Sequence, residues 1–197
     1  MKDILKNDKE FKQAIGAFII AFSELEFGLV FLCSMTEFDV RRKNEYLTKY
    51  LGFTFERKMK HLTDFISENL KELTPIWEKL KNEIGQLNRE RRFLVHGFMQ
   101  YYLPHETITT HVKENGKVTT KKQTLEEINE FTNRLHHLNT GENGINGEFH
   151  TLFTKTRIDK WNDLVNDDNK IIYRVNNKVI SNWIGMENDR IIAPTQK

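Results

Sequence analysis

The chain has 197 residues, with 30 Lys and Arg against 28 Asp and Glu, a formal net charge of +2. That balance argues against tight, non-specific DNA binding over a uniformly basic surface, which needs many phosphate contacts, but it leaves room for a local basic patch. Hydrophobic residues at 38% and 14 phenylalanines supply a sizeable core for one domain, or one domain with an appendage.

Cys33 is the sole cysteine, so an internal disulfide and a cysteine-based metal site are excluded. A reducing, cytoplasmic setting fits this usage. Cys33 lies in an apolar run and reads as a core residue. The N-terminal residues have no uninterrupted apolar run or small-residue cleavage site, so no signal peptide is expected. The run Ala14 to Cys33 is long enough for a membrane helix. Glu24 and Glu26 fall near its middle, where charge is costly. A helix buried in protein is therefore expected, with no membrane partner.

The first helix is expected from about Asp8 to about Met35. Phe11, Ile15, Phe18, Phe22, Leu25, Leu29 and Leu32 recur at spacings of three and four. Ile19, Phe27 and Phe31 widen the stripe, which places this helix at the centre of a bundle or at a dimer interface. A basic helix follows from Asp39, a good N-cap, to Tyr50, with Arg41, Arg42 and Lys43 at its start. Gly52 can end it in the left-handed conformation. The third helix covers Thr54 to Leu70, with Phe55, Met59, Leu62, Phe65 and Ile66 inward. Thr74-Pro75 reads as a capping threonine followed by a first-turn proline. The fourth helix then runs to His96 on a seam of Trp77, Leu80, Ile84, Leu87, Arg91 and Leu94, and Gly97 is its C-cap.

Beyond it the period changes. Phe98 to Leu103 reads as extended. Two β-branched runs, Thr107 to Val112 and Lys117 to Thr120, flank Glu114-Asn115-Gly116, a strong hairpin signal. Thr124 to Glu127 forms a capping box for a fifth helix with the stripe Leu125, Ile128, Phe131, Leu135 and Leu138. Thr140 to Gly147 is a loop. Phe149 to Val165 reads as helical, and Ile171 to Ile180 as a second hairpin turning at Asn176-Asn177. The tail after Gly185 carries no signal. The expected architecture is mainly α: an antiparallel helical bundle (residues 1–140) with a β-hairpin inserted after the motif helix. A small α/β C-terminal appendage (141–197) packs on the bundle.

The most informative stretch is Asn88-Arg89-Glu90-Arg91-Arg92-Phe93-Leu94-Val95-His96-Gly97. It resembles the signature of HEPN domains (higher eukaryotes and prokaryotes nucleotide-binding): an arginine, four to six residues, then a histidine near the end of a bundle helix. The setting is similar too, with Ser23-Glu24-Leu25-Glu26 in a long first helix, an extended insertion after the motif and a closing helix. At this coarse level the likeness spans Asp8 to Asn139. A polar residue usually follows the arginine in that family, and here it is Arg92. On an ideal helix His96 shares a face with Arg92, four residues away, whereas Arg91 lies about 140° around. Arg91, Arg92 and Arg89 all stay open as the functional arginine.

The resemblance implies metal-independent RNA cleavage, with no cofactor, by attack of a 2′-hydroxyl on the adjacent phosphate. Histidine suits the proton transfers, since its pKa lies near neutrality. Arginine is permanently cationic and can hold two phosphate oxygens. A single histidine serves two proton transfers poorly. Family members solve this by pairing two domains, so a homodimer with a composite cleft is expected. Of the two glutamates, Glu26 is the better placed to meet the motif arginine, and both can equally be ordinary surface glutamates.

The residue two after the histidine is Phe98 rather than the tyrosine that some members have modified by a partner, so that switch is not expected. An antitoxin or regulatory protein masking the cleft stays open. Lys113, Lys117, Lys121 and Lys122 of the hairpin, with Tyr101 and Tyr102 upstream, can grip a single RNA strand. They can equally be solvated lysines blunting a sheet edge. Arg91 can equally be a packing arginine, and His96 a histidine capping a helix carbonyl. No histidine spacing suggests a metal site: His136 and His137 are adjacent and cannot share a helix face.

Overall fold

The computed structural model describes residues 2–37, 43–102, 107–114, 116–142, 144–166, 170–175, 178–183, 185–187 and 190–192. The fold is mainly helical. It comprises α1 (Lys2–Met35), α2 (Lys43–Leu51), α3 (Phe55–Asn69), a 3-10 turn (Lys71–Leu73), α4 (Thr74–His96), α5 (Leu125–Thr140) and α6 (Glu148–Asn166). Between α4 and α5 lie β1 (Phe98–Tyr102), β2 (Thr107–Glu114) and β3 (Lys117–Thr124), an antiparallel sheet in that order. After α6 come two further two-stranded pairs, β4 (Lys170–Val175) with β5 (Lys178–Trp183), and β6 (Gly185–Glu187) with β7 (Arg190–Ile192). The last pair had no counterpart in the sequence reading. The expected turns at Asn115 and at Asn176-Asn177, and the expected cap at Asp39 with Arg41 and Arg42, lie outside the described residues.

The periodic stripe of α1 forms the centre of the core. Phe11, Phe18, Phe22, Leu25, Leu29 and Leu32 are buried there. Its flanks are not: Phe27 is 56% exposed, Ile20 62% and Ile19 38%. The expected widening of the buried stripe by Ile19 and Phe27 is therefore corrected. α2, α3, α4 and α5 pack against the helix, and Ile20 and Phe27 stay more than half exposed. Phe31 does find a partner, stacking on His150 of α6 at 5.5 Å. Phe149 and Phe153 of α6 join the same core, against Trp77 and Phe65.

Helix ends follow local chemistry, with two corrections. Thr54 caps α3 by accepting the Arg57 amide at 3.2 Å. Thr124 and Glu127 form a complete capping box at α5. Thr74, by contrast, is already helical. The 3-10 turn leads straight into α4, so Leu73 takes the cap position with no side-chain bond. Gly52 does not enter the left-handed region; Gly116 does, at φ 79°, in the hairpin turn. Gly97 ends α4 with extended backbone, φ −78° and ψ 145°. A Cβ there would lie 2.3 Å from the Phe93 carbonyl oxygen, so close approach rather than handedness demands glycine.

A polar cluster ties α1, α2 and α3 together. The Thr36 hydroxyl donates to the Cys33 carbonyl at 2.7 Å, and the Tyr50 hydroxyl donates to Glu37 Oε1 at 2.7 Å. Both hydroxyl protons are thus committed, so His61 Nε2, 2.8 Å from Thr36 Oγ1, must be the donor. Burial pushes the His61 pKa down to about 4, with Glu37 opposing. It pushes the neighbouring Tyr50 hydroxyl up, and the Cys33 thiol up to about 12, as suits an inert core residue.

The unfolded chain therefore takes up the His61 proton first as pH falls. This stability is fully present above about pH 6.5 and is lost progressively toward pH 4, by about 3 kcal/mol. Urea unfolding of wild type and His61→Gln at neutral and acidic pH measures it. The variant is expected to lose most of that slope, and an unchanged slope would refute the assignment.

Candidate nucleotide-binding cleft

The apolar seam of α4 turns polar in its last turns. Trp77, Leu80, Ile84, Leu87 and Leu94 are buried along it, and Arg91 takes a half-buried seam position. Four-residue spacing places Asn88, Arg92 and His96 along one side of the helix, with Arg91 three residues from Asn88. These four line a cavity of about 370 Å³, closed by Glu26 of α1 and by Thr54, Phe55 and Glu56 at the start of α3. All four catalytic candidates, Arg91, Arg92, His96 and Glu26, thus meet in one place.

The two arginines differ in their surroundings. Arg91 Nη1 lies 3.8 Å from Glu26 Oε2 and donates to Asn88 Oδ1 at 3.4 Å. Its guanidinium sits over the Phe22 ring, 4.8 Å from the centroid, in cation–π geometry. Arg92 is exposed at the cavity mouth. Both line the cavity although an ideal helix sets Arg91 well round from His96.

His96 is the last residue of α4 and is exposed. Among the described residues its imidazole makes no hydrogen bond or ion pair, and it caps no carbonyl. The last intrahelical bond of α4 runs from the Gly97 amide to the Phe93 carbonyl at 3.1 Å.

Glu26 has a second partner that sequence reasoning missed. Lys58 of α3 is 3% exposed and donates to Glu26 Oε1 at 2.7 Å. One carboxylate oxygen faces each cation, Lys58 and Arg91, so Glu26 holds Arg91 in place rather than acting as a free base. The signal was available. Lys58 falls three residues after Phe55 and four before Leu62, on the apolar face of α3, where a lysine needs a counter-charge. The start of α3 adds the positive end of its helix dipole to the cavity wall, a setting that favours anions.

The remaining candidates divide. Arg89 is exposed and does not line the cavity. The hairpin lysines do not form one surface, because side chains alternate along a strand. Lys121 turns toward α4, forming an ion pair with Glu90 and lying 5.9 Å from the Phe93 ring centroid. Lys117 shares its side of β3, while Lys113 and Lys122 belong to the opposite face. The side chains of Tyr101 and Tyr102 lie outside the described residues. Among the described residues, no three His, Cys, Asp or Glu side chains gather as a metal site.

Asp8–Met35 is long and apolar enough to cross a membrane by length and composition, and half of its most apolar window is buried in the fold. In comparisons with known proteins, no family model, curated protein or solved structure matches this chain.

Proposed function

We propose that the chain is a metal-independent endoribonuclease of HEPN type, active as a homodimer. The observation that carries the reading is the convergence of Arg91, Arg92, His96 and Glu26 on one cavity. In the proposed reaction a base removes the proton of an RNA 2′-hydroxyl. The oxygen attacks the adjacent phosphorus, the bond to the 5′-oxygen breaks, and an acid returns a proton to that leaving oxygen. The products are a 2′,3′-cyclic phosphate and a 5′-hydroxyl. His96, accessible and unbound, carries a proton, and Arg92 and Arg91 hold the charged phosphate oxygens. Two protons move and each cavity has one histidine. A second copy docked through the exposed Ile20–Phe27 face of α1 would bring a second one. A toxin or antiviral role in the cytoplasm, restrained by a partner protein, belongs to the same proposal.

One observation favours a second reading, a non-catalytic module that binds RNA, a nucleotide or a protein. Arg91 is already engaged by Glu26, Asn88 and Phe22, as a structural arginine would be. A labelled RNA mixture incubated with the purified chain in excess chelator decides between them. Cleavage leaving cyclic phosphate ends supports the nuclease. Intact RNA under every condition tested transfers the case to the binding module. A strictly monomeric chain with full activity would remove the dimer from the proposal.

A further inference from the structure

The outer face of the three-stranded sheet is not accounted for by the cleft. Its inner face is consumed by the fold: Ile108, Thr110 and Gln123 are buried, and Lys121 meets Glu90, Phe93 and Phe131. The opposite face is largely open, with Thr109 its one buried position among the described residues. The register sets Phe98, His111 and Thr120 in one row across the strands, with Gln100, Thr109 and Lys122 in the next. Lys113 and Val118 form the row toward the hairpin tip. Phe98 is 69% exposed and Val118 68%, and Lys113 and Lys122 are exposed. Among the described residues this face carries no carboxylate, although the chain as a whole is nearly neutral.

The centre of the face is fixed in place. His111 reaches both neighbouring strands, with Nδ1 2.9 Å from Thr120 Oγ1 and Nε2 3.4 Å from Gln100 Oε1. The glutamine oxygen accepts, so Nε2 carries the proton and Nδ1 receives the threonine hydroxyl. The imidazole is thereby held across the strands beside the exposed Phe98 ring. Phe98 is two residues from His96, so their Cα atoms are within about 7 Å of each other.

We propose that this outer face is a platform for single-stranded RNA, continuing the track of a strand whose phosphate lies in the α4 cleft. Phe98 offers a ring for a base to stack on, and Lys113 and Lys122 meet backbone phosphates on either side of the His111 row. An unstacked single strand fits and a duplex does not, because paired bases cannot reach the Phe98 ring. The platform rests on the RNA reading above and adds a substrate class to it.

The test measures anisotropy of a labelled oligouridylate on the His96→Ala chain, which keeps the probe intact. Joint Lys113→Glu and Lys122→Glu substitution is expected to weaken binding at least tenfold and to make the salt dependence shallower by roughly 1.4 in log–log slope. Phe98→Ser is expected to cost about fivefold or more. Lys117→Glu, on the other face, should change affinity no more than about twofold. The proposal is overturned if the double reversal leaves affinity unchanged, if Lys117→Glu matches its effect, or if an RNA duplex competes as well as the single strand.

Cleavage by the corresponding chains with His96 intact separates the two claims. Tight binding that follows this pattern, with no cleavage, keeps the platform and removes the nuclease. Cleavage with unaltered KM in the platform variants keeps the nuclease and removes the platform.

Discussion

His96→Ala is expected to lower RNA cleavage by about two to four orders of magnitude, the usual contribution of a positioned proton carrier, with no change in thermal midpoint. The second half of that expectation comes from the structure. The imidazole is exposed and makes no hydrogen bond among the described residues, so its removal leaves nothing buried unsatisfied. Arg92→Ala should lower cleavage as well, since Arg92 lines the same cavity. Arg91→Ala should lose both activity and stability, because it removes one of the two cations at Glu26 and the cation over the face of Phe22. Single-turnover cleavage beside thermal melts of the three variants reads both quantities. Cleavage at wild-type rate by His96→Ala would remove the histidine from the chemistry.

Glu26→Ala is expected to destabilise the fold by about 3 kcal/mol, because it leaves a buried ammonium without a counter-charge. Lys58 is held by this one carboxylate, while Glu26 itself is partly exposed and keeps Arg91 as a second partner. Lys58→Met should therefore cost less than Glu26→Ala. The double substitution should recover a large part of the loss, since a methionine needs no carboxylate. Urea unfolding of the four chains closes a double-mutant cycle. Additive effects would show that the pair is not coupled.

Much of the architecture was legible because it depends on local chemistry. The α4 seam, the Thr124 to Glu127 box and the Gly116 turn each follow from a few neighbouring residues, and each is present. What failed depends on distant packing. Phe27 and Phe31 look equivalent in the sequence, yet α6 covers Phe31 and nothing described covers Phe27. Thr74 has a cap's chemistry, but the preceding 3-10 turn takes the position.

The site shows the same division. Arg91, Arg92 and His96 stand out through their spacing and Glu26 through its cost in an apolar helix. Lys58 is reached only by asking which cation, from another helix, meets that glutamate. The hairpin lysines look like one cluster in sequence, and strand alternation separates them into two faces.

The sheet is joined to its helices without slack. Gly97 alone separates α4 from β1, and Thr124 is both the last residue of β3 and the cap of α5. Glu90 adds a bracing point from the middle, accepting from Lys121 and, at 3.1 Å, from Gln123. The two helices and the sheet between them are therefore expected to open as one cooperative unit, which amide exchange in β2 and β3 matching that in α4 and α5 would show. A load placed on the outer sheet face is borne by the helix that ends in His96, with no hinge to absorb it.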